Sequence, residues 1–106
     1  MTQNENPKRV LVVEDSDSMR ALVGDALQSA GLAVDGVSTG FLALKELKAA
    51  HYDLIVTDIN MPDLTGLEII KFVRTAGAYA KTPLVVISTD GIFGTLDAHV
   101  DGATFF

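Results

Sequence analysis

The chain contains no cysteine, has few basic residues, and lacks any hydrophobic run long enough to cross a membrane. The absence of cysteine excludes disulfide bridges and thiolate metal sites within this sequence. Eight Lys and Arg stand against fourteen Asp and Glu, and the formal net charge of −6 argues against direct nucleic-acid binding. The polar residues 1–7 show no signal-peptide pattern. We therefore expect a cytoplasmic protein without membrane or nucleic-acid partners.

The chain does contain enough apolar material for one folded domain. It has 106 residues, of which 48% are hydrophobic, so it can bury a core and is not a disordered tail. Residues 1–7 predict a flexible N-terminus, and residues 8–106 predict a single domain. No internal repeat, linker or low-complexity segment divides that domain.

Strand-like and helix-like segments alternate along the chain. The strand-like apolar runs lie at residues 10–13, 33–37, 52–57, 84–87 and 102–106. Three intervening segments carry apolar residues at helical spacing, namely Met19, Leu22, Val23, Ala26, Leu27 and Ala30, then Phe41, Leu44 and Leu47, then Leu67, Ile70 and Val73. Ser16 is a predicted N-cap, as is Ser38 or Thr39, and Gly31 is a predicted helix end. This alternation predicts an α/β fold in which helices cover both faces of a parallel sheet.

Polar side chains follow three of the predicted strands at the point where each strand ends. Glu14 and Asp15 follow the first strand, Asp58 the third and Ser88 the fourth. Because right-handed crossovers place the carboxyl ends of parallel strands at one edge, we expect these groups to converge. Clustered carboxylates without His or Cys favour a hard cation, Mg²⁺ above all. A carboxylate, Mg²⁺ and a hydroxyl donor together predict that Asp58 accepts a phosphoryl group.

Simpler interpretations stay open for each of these residues. Asp15 could be a helix N-terminal acid, Asp58 a loop acid ahead of a turn, and Ser88 a helix cap. These interpretations leave the shared position of the groups at one edge unexplained. An EF-hand loop beginning at Asp58 fails, because Pro62 stands where a ligand is needed. No Gly-rich nucleotide-binding loop is present in the sequence.

Three stretches carry a resemblance to a known family. They are Val10-Leu11-Val12-Val13-Glu14-Asp15, the Asp58-x-x-Met61-Pro62-x-x-x-Gly66 segment, and residues 83–88. Together they resemble the receiver domain of two-component response regulators, the CheY-like family. The resemblance implies a doubly wound, flavodoxin-like sheet of five parallel strands in the order 2-1-3-4-5. It also implies a signalling switch rather than a turnover enzyme, apart from its own phosphorylation and dephosphorylation.

The resemblance assigns roles around Asp58. It implies that Asp58 takes a phosphoryl group from a histidine kinase or a phosphotransfer protein. Glu14, Asp15, Asp58 and the backbone carbonyl of Asn60 would bind Mg²⁺, with Asp15 the more direct ligand of the acidic pair. The output partner is not identified by the sequence, and a homodimer is a possible assembly.

Further residues would transmit or tune the signal. Ser88 would bind the phosphoryl group, and Phe106 would be the aromatic residue that turns inward with it. Asn60 and Asp90 lie where the family varies its dephosphorylation rate. The family also has a Lys that would lie three residues beyond Phe106, so this sequence contains no match for it.

The same comparison predicts a receiver that is incomplete at its C-terminus, with a fifth strand cut short and a fifth helix missing. An alternative function is therefore a pseudo-receiver, a protein-interaction module that works without phosphorylation. A hydrolase with an aspartyl-phosphate intermediate is a third interpretation. It is disfavoured because Asn60 stands where such enzymes usually have a second acid.

Overall fold

A parallel five-stranded sheet forms the centre of the computed structural model, which describes residues 7–58, 66–79, 81–87 and 103–105. Its strands are β1 (Arg9–Val13), β2 (Ala33–Val37), β3 (Leu54–Asp58), β4 (Leu84–Ile87) and β5 (Ala103–Phe105). All neighbouring strands pair in parallel, in the order β2-β1-β3-β4-β5. The predicted α/β class and strand order are confirmed.

Three described helices connect these strands. They are α1 (Asp17–Ser29), α2 (Gly40–Ala49) and α3 (Gly66–Thr75), and a single 3-10 turn, Gly77–Tyr79, follows α3. The Ser16 hydroxyl accepts the Met19 amide at 3.3 Å, and the Thr39 hydroxyl accepts the Leu42 amide at 3.1 Å. Both side chains therefore satisfy amides that a helix start leaves without an intrahelical acceptor.

The helices bury the two faces of the sheet in two separate clusters. Side chains along a strand alternate between faces, so neighbouring residues of β1 enter different clusters. Leu11 and Val13 pack with Ala43 and Leu47 of α2 and with the apolar side of α3. Val10 and Val12 pack with Val56 on the opposite face, where half-buried side chains of α1 and β4 contact them. The core thus lies on both sides of β1 and β3, which are the most buried of the four strands β1 to β4.

Four residues of the predicted apolar stripes are exposed instead, namely Leu22, Ala26, Ala30 and Phe41. Leu22 keeps 64% of its surface accessible and Phe41 keeps 63%, so their assignment to apolar stripes was wrong. In α1 the contacts with the sheet come from Val23 and Leu27, four residues apart. Leu22 precedes Val23 by one residue, which rotates its side chain about 100° around the helix. In α2 the buried positions are Gly40, Ala43 and Leu47, and Phe41 is displaced by one residue in the same way.

Several sequence predictions lie outside the described residues. They concern the loop at residues 59–65, the Gly-rich segment at residues 91–100 and the flexible terminus at residues 1–6. Among the helices that the structure describes, none is both long enough and apolar enough to span a bilayer.

Candidate functional site

The register of the two central strands places acidic residues side by side. Val13, the last residue of β1, pairs with Thr57 of β3, the residue before the end of that strand. The next residues are Glu14 and Asp58, which therefore lie next to each other at the carboxyl edge of the sheet. Asp15 follows Glu14 in the short turn before α1. The hydrophobic pairing of two buried strands thus determines where these carboxylates stand.

Three carboxylates form one cluster at this edge. One carboxylate oxygen from each of Glu14, Asp15 and Asp58 lies within 4.8 Å of the other two. Glu14 is fully buried and Asp58 is only 1% exposed, whereas Asp15 is exposed. The cluster therefore opens to solvent at Asp15 and is closed at the other two carboxylates. The convergence expected from the parallel topology is present for these three carboxylates, whereas Ser88 lies outside the described residues.

The Glu14 carboxylate is only partly satisfied by the protein. Its Oε2 atom accepts the backbone amide of Ser16 at 3.2 Å. Its Oε1 atom is buried and has no hydrogen-bond partner among the residues that the structure describes. The pKa of Glu14 is raised to about 7. Burial is the largest cause and the neighbouring Asp58 carboxylate adds to it, whereas the hydrogen bond from the Ser16 amide lowers the pKa. A buried oxygen without a partner is costly unless a proton or a cation occupies it.

This donor set fits a hard divalent cation. All its members are carboxylate oxygens, which Mg²⁺ and Ca²⁺ prefer over nitrogen or sulfur ligands. The buried Oε1 atom of Glu14 offers a lone pair that no described residue uses. Mg²⁺ commonly binds through one or two carboxylates and keeps water and phosphate oxygens as its remaining ligands. The exposed side of the cluster, at Asp15, leaves room for such ligands.

An arginine that the sequence analysis missed contacts the acidic turn. Arg20 donates from Nη1 to the backbone carbonyl of Glu14 at 2.8 Å, and from Nη2 to the Asp17 carboxylate. The available sequence signal was the i, i+3 spacing of Asp17 and Arg20 on a helix. That spacing predicts an ordinary surface ion pair. The contact with Glu14 depends on how α1 lies against the end of β1.

The other predicted site residues are not part of the described structure. Asn60, Ser88, Asp90 and Phe106 lie outside the described residues, so their roles stay predictions. Lys81 precedes β4 and Lys8 precedes β1, which places both lysines at the amino edge of the sheet, opposite the acidic cluster.

Comparison with known proteins extends over most of the chain. The family model described as "Response regulator receiver domain" matches residues 10–104. Protein PilG of Pseudomonas aeruginosa is 29% identical over 104 residues, covering 97% of this chain and 77% of PilG. The two-component response regulator ORR11 of rice is 34% identical over 87 residues, covering 81% of this chain and 59% of ORR11. The chain therefore spans somewhat more than half of the length of that relative.

Solved structures share the arrangement of strands and helices. Chemotaxis protein CheY4 of Vibrio cholerae superposes with a TM-score of 0.83 at 36% identity, covering 94% of this chain and 84% of CheY4. Response regulator TrrA of Thermotoga maritima, solved in complex with Mg²⁺-BeF, superposes with a TM-score of 0.79 at 28% identity. That match covers 93% of this chain and 86% of TrrA.

Proposed function

This chain belongs to the response regulator receiver domains of two-component signalling, and we propose that Asp58 is its phosphoacceptor. The observation that carries the proposal is the position of Asp58. It ends the central strand β3, is nearly buried, and has carboxylate oxygens of Glu14 and Asp15 within 4.8 Å. A nucleophilic carboxylate needs such neighbours only if a cation offsets their charge.

The proposed reaction is a phosphoryl transfer to the Asp58 side chain. A bond forms between an Asp58 carboxylate oxygen and phosphorus as the phosphorus–nitrogen bond of a phosphohistidine breaks, and the electron pair returns to the imidazole. The donor is a histidine kinase or a phosphotransfer protein. β3 holds Asp58 rigidly, since its neighbours on both sides are strands of the same sheet. Positioning of this kind contributes much of the catalysis in phosphoryl transfer.

Glu14, Asp15 and Asp58 are the residues that would hold Mg²⁺, with Asp15 the more direct ligand of the acidic pair and the backbone carbonyl of Asn60 a further one. When bound, Mg²⁺ neutralises the negative charge that keeps a carboxylate away from phosphate oxygens. The solved structure of TrrA with Mg²⁺-BeF supports this assignment by similarity. The buried Glu14 Oε1 atom, which accepts no hydrogen bond from any described residue, supports it from this chain's own structure.

The remaining roles follow from family membership. Ser88 would bind the phosphoryl group and Phe106 would turn inward with it, while Asn60 and Asp90 would tune dephosphorylation. The output partner, a homodimeric state and a cytoplasmic location all stay predictions. Charge neutralisation at Asp58 would be the local event that changes the output surface.

The direct test is to replace Asp58 with Asn. The purified protein is incubated with acetyl phosphate and Mg²⁺, and the phosphoryl adduct is measured by intact mass spectrometry. We expect Asp58→Asn to lose the adduct completely, since an amide is a far weaker nucleophile than a carboxylate. Asp25→Asn is the matched control, because Asp25 is an exposed acid on α1, and it should label like the parent protein. Undiminished labelling of Asp58→Asn would contradict the assignment.

The same samples separate a receiver from a pseudo-receiver. A receiver should bind Mg²⁺, and should bind beryllofluoride when Mg²⁺ is present, with shifts in amide signals around β1 and β3. A pseudo-receiver should respond to neither ligand. The close approach of the three carboxylates favours the receiver.

A further inference from the structure

We propose that Arg20 and Gly36 act together as a positioning pair that holds the backbone of Glu14, and so the acidic cluster, in its binding geometry. The inference rests on the proposed Mg²⁺ site and adds two residues to its support. Arg20 lies on α1 and Gly36 on the edge strand β2. Neither residue is expected to contact the cation or the phosphoryl group. Their proposed role is to fix the turn from which Glu14 and Asp15 reach the cluster.

The guanidinium group of Arg20 makes hydrogen bonds at this turn. Its Nη1 donates to the Glu14 carbonyl at 2.8 Å, and its Nη2 contacts the Asp17 carboxylate. The Arg20 side chain is 24% exposed, whereas the Asp17 side chain is 90% exposed. An ion pair with so exposed a partner contributes little stability, typically less than about 1 kcal/mol. The contact with the Glu14 carbonyl is therefore the significant one.

The aliphatic part of the Arg20 side chain, its stem, lies close against Gly36. A Cβ atom built at Gly36 would lie 3.1 Å from Arg20 Cδ and 3.2 Å from Arg20 Cγ, closer than ordinary carbon contacts. Gly36 is not a glycine with positive φ, since among the described residues only Gly31 has one. Its backbone conformation thus admits any residue, and glycine within a strand weakens that strand. A side chain at residue 36 would force the arginine stem to shift by a few tenths of an ångström, and this shift would pull on the guanidinium group at the Glu14 carbonyl.

Both backbone polar groups of Glu14 have a hydrogen-bond partner. Its amide donates to the Val37 carbonyl of β2 at 3.0 Å, and its own carbonyl accepts from Arg20. The Arg20 stem passes over Gly36, the residue before Val37, so β2, β1 and α1 are joined at one point. Residues that orient metal-binding side chains commonly change metal affinity by about 10-fold to 100-fold when they are replaced. Arg20 would orient Glu14 and Asp15 in this way.

The test compares Mg²⁺ affinity in five variants. Arg20→Ala removes both the guanidinium group and the aliphatic stem. Arg20→Lys keeps the positive charge but cannot donate to two acceptors through a planar guanidinium group. Gly36→Ala places a methyl group against the Arg20 stem. We expect Mg²⁺ affinity, measured by calorimetry, to fall about 10-fold in Arg20→Ala and several-fold in the other two. Lys45→Ala and Gly24→Ala are the matched controls. Lys45 is an exposed cation on α2, and an added Cβ at Gly24 would meet only Val34 at an ordinary 3.7 Å.

A double variant tests whether the two residues act through one contact. In Arg20→Ala there is no stem left to crowd, so adding Gly36→Ala should weaken Mg²⁺ binding no further. Independent effects would multiply instead and would contradict a shared mechanism. Hydrogen exchange of the metal-free protein gives a second readout. Amides of residues 15–19 should exchange faster in Arg20→Ala and Gly36→Ala, while the β3 amides change much less.

The outcomes distinguish this inference from the proposed function. If the parent protein binds Mg²⁺ and Arg20→Ala binds it equally well, the positioning role is wrong and the receiver assignment stands. If the parent protein binds no Mg²⁺, the proposed function fails, and selective exchange at residues 15–19 still decides whether Arg20 holds the turn. Exchange that rises equally in the turn and in β3 would reduce Arg20 to a general stabilising residue.

Discussion

The protonation of Glu14 should make the stability of the metal-free protein depend on pH in an unusual direction. Burial raises the pKa of this carboxyl from 4.5 to about 7, and the adjacent Asp58 carboxylate contributes to the same shift. The unfolded chain therefore loses this proton at a lower pH than the folded protein does. Stability associated with the protonated group is fully present below pH 4.5 and is lost as pH rises through about 7. Most carboxylates in folded proteins have the opposite effect.

The magnitude follows from the two pKa values. Each unit of pKa corresponds to about 1.36 kcal/mol, so the raised pKa lowers the free energy of unfolding at pH 8 by up to about 3 kcal/mol. Glu14→Gln removes the titrating group and keeps its size. Metal-free Glu14→Gln should therefore be more stable than the parent protein by up to about 3 kcal/mol at pH 8, and by less than about 1 kcal/mol at pH 5.

Urea denaturation followed by circular dichroism at several pH values measures this difference. Excess chelator keeps the protein free of metal, and Asp25→Asn serves as the control for a change of net charge. Asp25 is exposed, so its replacement should shift stability by less than about 0.5 kcal/mol at either pH. The reasoning is refuted if the gain in stability of Glu14→Gln over the parent protein is no larger at pH 8 than at pH 5. Added Mg²⁺ should then stabilise the parent more than the variant, because ligands stabilise the state that binds them.

Two further predictions concern stability away from the acidic cluster. Tyr52 is fully buried and its hydroxyl donates to Asp35 at 2.8 Å. Tyr52→Phe should therefore lower the free energy of unfolding, measured by urea denaturation, by about 1.5 kcal/mol. An unchanged free energy of unfolding would mean that solvent replaces this hydrogen bond. Replacing Gly24 and Gly31 with alanine should change the stability of the protein in opposite directions. Gly24→Ala should stabilise α1 by about 0.5–1 kcal/mol, whereas Gly31→Ala should destabilise the protein by about 1 kcal/mol, because Gly31 has φ +92°. Unfolding temperatures that shift in the same direction in the two variants would contradict this argument.

Local patterns in the sequence were sufficient for much of the fold. The apolar runs predicted the strands because a strand covered on both faces needs an uninterrupted series of apolar side chains. Ser16 and Gly31 were correctly placed at the two ends of α1, because caps depend on residues within one helical turn. The parallel topology in turn predicted that Glu14 and Asp58 would lie at the same edge, before any distance was known.

Helix orientation was less accessible to sequence reasoning. The apolar stripe of a helix shows which side is hydrophobic, but its edges are uncertain by about one residue, or about 100° of rotation. Leu22 and Phe41 both lie at such an edge and are exposed. Which residue of a stripe contacts the sheet depends on the angle at which the helix crosses the strands.

The sequence by itself determined the α/β class, the strand order implied by family resemblance, and the identity of the three clustered carboxylates. Only the tertiary structure decided that an oxygen of Glu14 is buried without a partner in the described part of the chain, and that Arg20 reaches the Glu14 carbonyl across Gly36. The physical reason is that strands and caps follow from neighbours along the chain. Burial and the packing of an arginine stem on a distant glycine depend instead on how α1, β1 and β2 fit together in space.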